Sequence, residues 1–441
     1  MGVLLGRANR RFVYTASALL CIILYLTWHT PHGAGVTRRD VALQSPLAPE
    51  TSHCRDLPGA NDTLVIMKTG STEIRDKLPI HLATTLKCYP NYMIFSDIEE
   101  TFLDEPILDA LEDVSARYKD SHDDFELYRR LQRGGRKALK PSELSGPVSR
   151  SQGGGGKPTN PGWRLDKWKF LPMARRTLQE YPDQKWYLFI ETDTYIFWKT
   201  LLAYLAALDW TKPYYMGAQI NIGDITFAHG GTGILVSRPA LQMVVRHYID
   251  HKDEWEDFTA GHWAGDCVLG KAFKDAGAPI TYAWPIFQSD DIGDMNYGRT
   301  DNQHRLWCHP TVAYHHLAPP VVQDLWEFEQ AWMQGSASAV LRHKDIFAQY
   351  ILPRVAEPRE NWDNHCDKDE GPVSCLDECE ALCEKDKSCL QFALDPDGRC
   401  YTTARPNLGE AHRGWDAGWM YNRMQAFYED ASPCGDEGWL T

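Results

Sequence analysis

The sequence predicts an α/β fold, a parallel sheet covered by helices, followed by a small cysteine-rich module. Three observations lead there. The apolar run Thr63 to Met67 (TLVIM) is followed by a turn-forming KTGST, a helix at about Lys77 to Cys88 and a second apolar run at Tyr92 to Phe95 (YMIF). Strand, helix and strand in about thirty residues make a βαβ unit, which requires parallel strands. A third strand, WYLFI at 186 to 190, ends abruptly on Glu191 and Asp193. Seven of the twelve cysteines crowd into Cys366 to Cys434, a density that marks a disulfide-rich module in an oxidising compartment.

From the N terminus, Arg7, Arg10 and Arg11 precede an uncharged stretch from Phe12 to Trp28. Seventeen residues give roughly 26 Å of helix, enough for a thin bilayer. The arginines make residues 1–11 a short cytoplasmic tail and place everything beyond the 12–28 signal anchor in the lumen, as a type II protein of the Golgi or ER membrane. A cleaved signal peptide is the alternative and gives the same lumenal placement. Residues 29–58, rich in Pro, Gly, Ser and Thr, read as a stem. Asn61-Asp62-Thr63 is a glycosylation sequon. The formal net charge of −14 argues against nucleic acid as a partner.

The large domain spans 59–350. Residues 129–161 (RRLQRGGRKALKPSELSGPVSRSQGGGGKPTNP) are too polar for a core and read as a disordered insertion. GWRLDKWKFLPMARRTLQEYP reads as one amphipathic helix feeding the WYLFIETD strand. A helix from Lys199 to Leu208, a strand at Tyr214 to Met216 and ITFAHGGTGILVS extend the domain, and a helical stretch at 324–350 leads to the module at 361–441.

Carboxylates at the C-terminal edge of a buried strand face the crevice where open α/β sheets bind ligands, and two acids one residue apart can reach a hard cation. The same triplet also occurs in solvated acidic turns. His315 and His316 end the apolar VAYHH, where a strand would point them to opposite faces, so one of the two serves as a ligand; His309 is a third candidate. Gly230, Gly231 and Gly233 permit close backbone approach to a ligand, or simply a tight turn. Asp266 opens the helix-like GDCVLGKAF, where it suits an N-cap, a proton-accepting carboxylate or both.

KTG after the first strand, FSD at 95–97, DKWKFLPM at 166–173, ETDTYIFW, GGTGILVS, GDCVLG and WCHPTVAYHH, in this order, resemble glycosyltransferase family 31. The likeness is to the Fringe and core 1 β1,3-galactosyltransferase branch in its fungal form, over residues 60–330. CLDECEALCEKDKSCLQF resembles a PAN/Apple module. The resemblance implies a GT-A (Rossmann-like) domain, a UDP-sugar donor, Mn²⁺, a glycoprotein or glycan acceptor and inversion at the anomeric carbon. It implies a β1,3-linked galactose or a related sugar as the group moved. It assigns the metal to Asp193 and His315, with Glu191 assisting and His316 as the alternative histidine, and the general base to Asp266. Lys68, Asp97, Asp166, Lys167, Glu191, Thr192, Gly230, Gly231 and Gly233 fall around the donor. Glu191 stands where the family has Asp, and Gly265 where it has Glu. Those departures leave a second reading open, a carbohydrate-binding or adhesion protein with a degenerate transferase domain. A hydrolase using paired carboxylates fits less well, since it needs neither histidine nor metal. A homodimer is compatible with either.

For the disulfides, Cys54 with Cys88 and Cys267 with Cys308 are natural pairs. Cys375, Cys379 and Cys383 lie on one helical face and bridge to Cys389, Cys400 and either Cys366 or Cys434.

Overall fold

Both faces of the central strands are buried, which is why they read as unbroken apolar runs rather than as alternating ones. In β1 (Thr63–Lys68) Val65 and Met67 pack into one apolar layer, and Leu64 and Ile66 into the layer on the other face. The computed structural model describes residues 52–146, 160–301, 304–335, 340–431, 434, 438 and 439. The cytoplasmic tail and anchor expected at 1–28 lie outside these, as does most of the stem. Among the described residues no helix is long and apolar enough to cross a membrane.

β1 is flanked by two parallel neighbours, β2 (Asn91–Ser96) and β5 (Trp186–Glu191). The register sets Lys68 opposite both Phe95 and Glu191, so the C-terminal edges of three parallel strands coincide. The strands β3 (Glu100–Phe102) and β4 (Glu105–Asp109) extend one side. After β6 (Tyr195–Ile196), the strands β7 (Tyr215–Gly217), β10 (Ile234–Ser237) and β11 (Thr281–Tyr282) extend the other. The order is β11-β7-β10-β5-β1-β2-β4-β3, and β10 runs antiparallel to both β5 and β7. The result is a mixed eight-stranded sheet with helices on both faces, a mixed α/β fold rather than the purely parallel one expected. Three two-stranded pairs stand apart from it among the described residues: β8 (Gln219–Ile222) with β9 (Ile225–Ala228), β12 (Thr300–Asp301) with β13 (His304–Arg305), and β6 with β14 (Ala313–Tyr314).

Two local expectations are corrected. Residues 129–146 of the supposed insertion are ordered: the helix Glu126–Gly134 buries Leu127 and Leu131, and Arg130 and Arg136 pair with Glu143 and Glu100 at 2.6 and 2.7 Å. Residues 147–159 lie outside the described ones. The single helix expected over 162–182 is two, Pro161–Asp166 and Phe170–Glu180. Pro172, which lacks the N–H that would bond the carbonyl four residues back, falls in the first turn of the second helix, where a proline is tolerated.

The C-terminal residues form a five-stranded antiparallel sheet, ordered β15 (Arg359–Asp363), β19 (Glu410–Trp419), β17 (Gln391–Leu394), β18 (Arg399–Thr403), β16 (Lys368–Pro372), with the helix Leu376–Lys385 against it. One face of it keeps a small cluster of its own, Phe392 among the cysteines Cys379, Cys383, Cys389 and Cys400, and the rest of its core is shared. Leu408, Ala417, Trp419 and Met424 share one apolar cluster with Tyr297, Trp307, Leu325 and Phe347. At one crossing the Gly409 amide donates to the Gly293 carbonyl at 2.8 Å, and a Cβ on Gly293 would lie 2.5 Å from the Gly409 oxygen. Disulfides join Cys54–Cys88, Cys379–Cys400, Cys383–Cys389 and Cys308–Cys434. The Cys267–Cys308 pairing is therefore wrong. Cys308 instead ties the large domain to the chain's last residues, and Cys267 is a buried thiol, as Cys366 and Cys375 are free ones.

Candidate metal and transfer site

The site is assembled at the coincident C-terminal edges of β1, β2 and β5 and at a two-residue ladder beyond them. β6 pairs with β14 (Ala313–Tyr314), with Tyr195 opposite Tyr314. This brings the turn after β5 against the turn after β14, and the Leu317 amide donates to the Asp193 carbonyl at 3.0 Å. His315 Nε2 lies 3.4 Å from Asp193 Oδ1, with both side chains almost fully buried.

His315 and His316 do not face opposite ways. The strand ends at Tyr314, His316 takes a left-handed conformation (φ 61°), and the two imidazoles stack 3.8 Å apart. A carboxylate oxygen of Asp193 and one nitrogen of each histidine lie within 4.8 Å of one another. Two imidazoles and a carboxylate suit a borderline or transition cation. The set fits an ion on a further count, since the buried Nδ1 of His315 has no hydrogen-bond partner among the described residues. Burial pushes the His315 pKa down, but the facing Asp193 carboxylate more than offsets it, so the net direction is up. His309 is buried but outside this group; its carbonyl accepts from the His343 amide at 3.1 Å.

The glycine run is shaped by these rings. A Cβ on Gly231 would sit 2.0 Å from the His315 imidazole, so only hydrogen fits. The Gly230 amide donates to Asp266 Oδ2 at 2.9 Å, and a Cβ there would lie 3.1 Å from Glu191 Oε1. Gly233 has φ 89°, a conformation that favours glycine. Gly230 and Gly231 thus separate the Asp193–histidine group from Asp266 by one backbone segment. Asp266 is at the second position of the helix Gly265–Asp275, not its N-cap, which is Ala264; its Oδ1 accepts from the Cys267 amide at 2.8 Å. Burial raises its carboxyl above the usual range, and those amide donors only partly oppose this.

Charges along the strand edge are paired. Lys68 Nζ lies 2.5 Å from Asp166 and 3.0 Å from Glu191, and above the Phe170 ring. Lys169 reaches Asp97 at 2.8 Å, and Asp97 also accepts from the Ser71 amide at 2.6 Å. Burial would raise Asp166, yet Lys68 and Lys169 hold it below the usual carboxylate range, while burial keeps Glu191 raised. Glu191 is not in the tight Asp193–His315–His316 group. The Thr192 carbonyl faces His81 Nε2 at 3.0 Å, and its hydroxyl is buried without a partner among the described residues.

Lys167 does not reach the strand edge. Its ammonium binds Asp124 at 2.8 Å and the carbonyls of Ala260 and His262 at 3.2 and 2.9 Å. Sequence reasoning missed Lys77, 3.5 Å from Asp193 Oδ2, and His229, whose ring meets His315 edge-on at 5.2 Å. Lys77 and His81 share one face of the helix Ile74–Ala83 with Ile74 and Leu78, an i, i+4 pattern of polar residues within an apolar stripe that is readable in hindsight. No protein-family model matches the chain, and no curated protein matches it.

Proposed function

We propose that this chain is a metal-dependent, inverting glycosyltransferase with a GT-A-type nucleotide-sugar domain. On this reading it moves galactose or a related sugar from a UDP-sugar to a glycan or glycoprotein, in the lumen of the Golgi or ER. The observation that carries the reading is that Asp193, His315 and His316 converge within 4.8 Å at the C-terminal edge of the parallel strands, with Asp266 just across Gly230. The ordered motifs described above add to it.

Asp193, His315 and His316 would hold the ion, with Glu191 behind them. A divalent cation bound there supplies positive charge to the departing diphosphate. Asp266 accepts the acceptor's hydroxyl proton; the hydroxyl oxygen bonds to the anomeric carbon as the bond from that carbon to the diphosphate oxygen breaks, releasing UDP. A carboxyl raised toward neutrality by burial is the better base for this task. Lys68, Lys77 and Lys169 offset the neighbouring carboxylates, so the edge does not repel a diphosphate. Gly265 replaces the glutamate of the family pattern because a Cβ there would lie 2.5 Å from Phe170 and 2.6 Å from the Lys167 Cα. The position is a packing contact, and the base role rests on Asp266 alone.

The test is UDP release from a panel of UDP-sugars in Mn²⁺, together with UDP binding by wild type and Asp193→Ala. Turnover of one donor and Mn²⁺-dependent UDP binding lost in the variant are expected. No turnover of any donor, with UDP bound equally by both, would overturn the reading in favour of a glycan-binding scaffold.

A further inference from the structure

Trp263 is among the most exposed large apolar side chains of the described residues, at 56%, and it lies three residues before Asp266. Exposed indoles on loose loops are unremarkable, but this loop is pinned. Lys167 Nζ, itself well buried, binds the carbonyls of Ala260 and His262 on either side of Gly261. His262 Nδ1 accepts from the Ala264 amide at 3.0 Å. On the far side, Gly265 fits directly against the Lys167 Cα and Phe170. A buried cation is thus committed to presenting a tryptophan to solvent.

Trp163, from the helix Pro161–Asp166, lies near-parallel to Trp263, with 19° between ring planes and centroids 6.3 Å apart. That separation is in the offset-stacked range, so the rings are displaced sideways from one another, and Trp263 keeps 56% of its surface exposed. The helix that carries Trp163 ends at Asp166, the partner of Lys68 at the strand edge. Both indoles therefore project from segments anchored beside the site, and three residues of chain keep Trp263 within about 11 Å of Asp266, Cα to Cα.

We propose that Trp163 and Trp263 form the acceptor subsite: the apolar C–H face of a pyranoside lies on the indole of Trp263, with its hydroxyl edge turned toward Asp266. A pyranose has one face of C–H groups and a rim of hydroxyls, so an exposed aromatic surface beside a half-buried carboxylate matches both halves of it. The proposal rests on the transferase reading for the role of Asp266, but the contact with a sugar is tested without turnover.

Saturation-transfer NMR is recorded on the full chain with methyl β-galactopyranoside, methyl α-N-acetylgalactosaminide and methyl α-mannopyranoside at millimolar concentration. At least one glycoside is expected to receive saturation on its ring C–H protons, falling at least fivefold in Trp263→Ala and in Trp163→Ala. Tyr282→Ala, which removes an aromatic ring 58% exposed at the sheet edge, leaves the signal intact. Lys167→Met, which releases the loop but keeps both indoles, weakens it. No saturation of any glycoside, or equal saturation in wild type and both tryptophan variants, overturns the subsite. Mn²⁺-dependent UDP binding by wild type, measured separately, tells that outcome from a failure of the transferase reading.

Discussion

At Gly231 one methyl group decides whether the His315 ring keeps its place, since an added Cβ would occupy the imidazole's position. Gly231→Ala is expected to weaken Mn²⁺ binding by roughly tenfold or more, the cost of displacing a ligand's support; titration of the free-ion EPR signal reads it, and unchanged affinity would show that His315 is not a ligand. Asp266→Asn keeps the shape and removes the proposed proton acceptor. A fall in kcat of roughly 100-fold or more is expected with UDP affinity retained, and a kcat within a few-fold of wild type would move the base elsewhere. Residue by residue, the positions of Asp193 just past a strand and of Asp266 at a helix start were readable because a strand ending on acids and an acid opening a helix are local patterns. His316 was not, because its place depends on a left-handed turn just past the strand. Nor was Lys167, since a lysine's reach is settled by whichever carboxylate the tertiary fold brings near it.

At the scale of elements, the β6–β14 ladder holds Asp193 and the histidines in register, and buried polar groups anchor both of its tyrosines. The Tyr195 hydroxyl donates to Glu329 at 2.6 Å, and Tyr314 meets His343 Nδ1 at 2.9 Å. Since His343 Nε2 faces the Pro285 carbonyl at 2.9 Å it carries the proton, and Nδ1 accepts from Tyr314. Burial raises the Glu329 carboxyl to about 7 against 4.5 when exposed, despite the donors around it. The sign follows from the raised value: protonation favours the folded state, so this contribution is complete below the unfolded value and is lost as pH rises toward about 7. Glu329→Gln should therefore remove a slope worth on the order of 3 kcal/mol between pH 4.5 and 7. Urea midpoints measured across that range check it, and parallel curves for the two proteins would count against the assignment. The βαβ start of the fold was legible because its strands are apolar on both faces; the antiparallel β10 was not, because GILVS reads the same in either direction.

For the whole molecule, the C-terminal sheet looks in sequence like a separable module and in structure is a partner in the core. Cys434, whose bond to Cys308 spans 126 residues, closes the longest loop of the four disulfides. Cys434→Ser is expected to cost about 5 kcal/mol in the chain-entropy account, read as a lowered denaturation midpoint. Ending the chain near residue 360 should lower stability much further, because Tyr297, Trp307 and Phe347 lose their cover; a truncated chain with an unchanged melting temperature would restore the modular view. The Cys54–Cys88 pair and the bridging of Cys379 and Cys383 to Cys400 and Cys389 were legible in the spacing; the partner of Cys308 was not, since it is met only once the C-terminal sheet has docked.

At that meeting backbone passes directly over backbone where Gly293 lies against Gly409. A side chain on Gly293 would strike the Gly409 carbonyl and press the two docked segments apart, whereas one on Gly409, held at φ 78°, would strike the Asp363 carbonyl within the C-terminal sheet itself. Position 293 is thus the one of the pair whose size reports on docking: a larger residue there acts on the seam, and a larger residue at 409 acts on the terminal sheet alone.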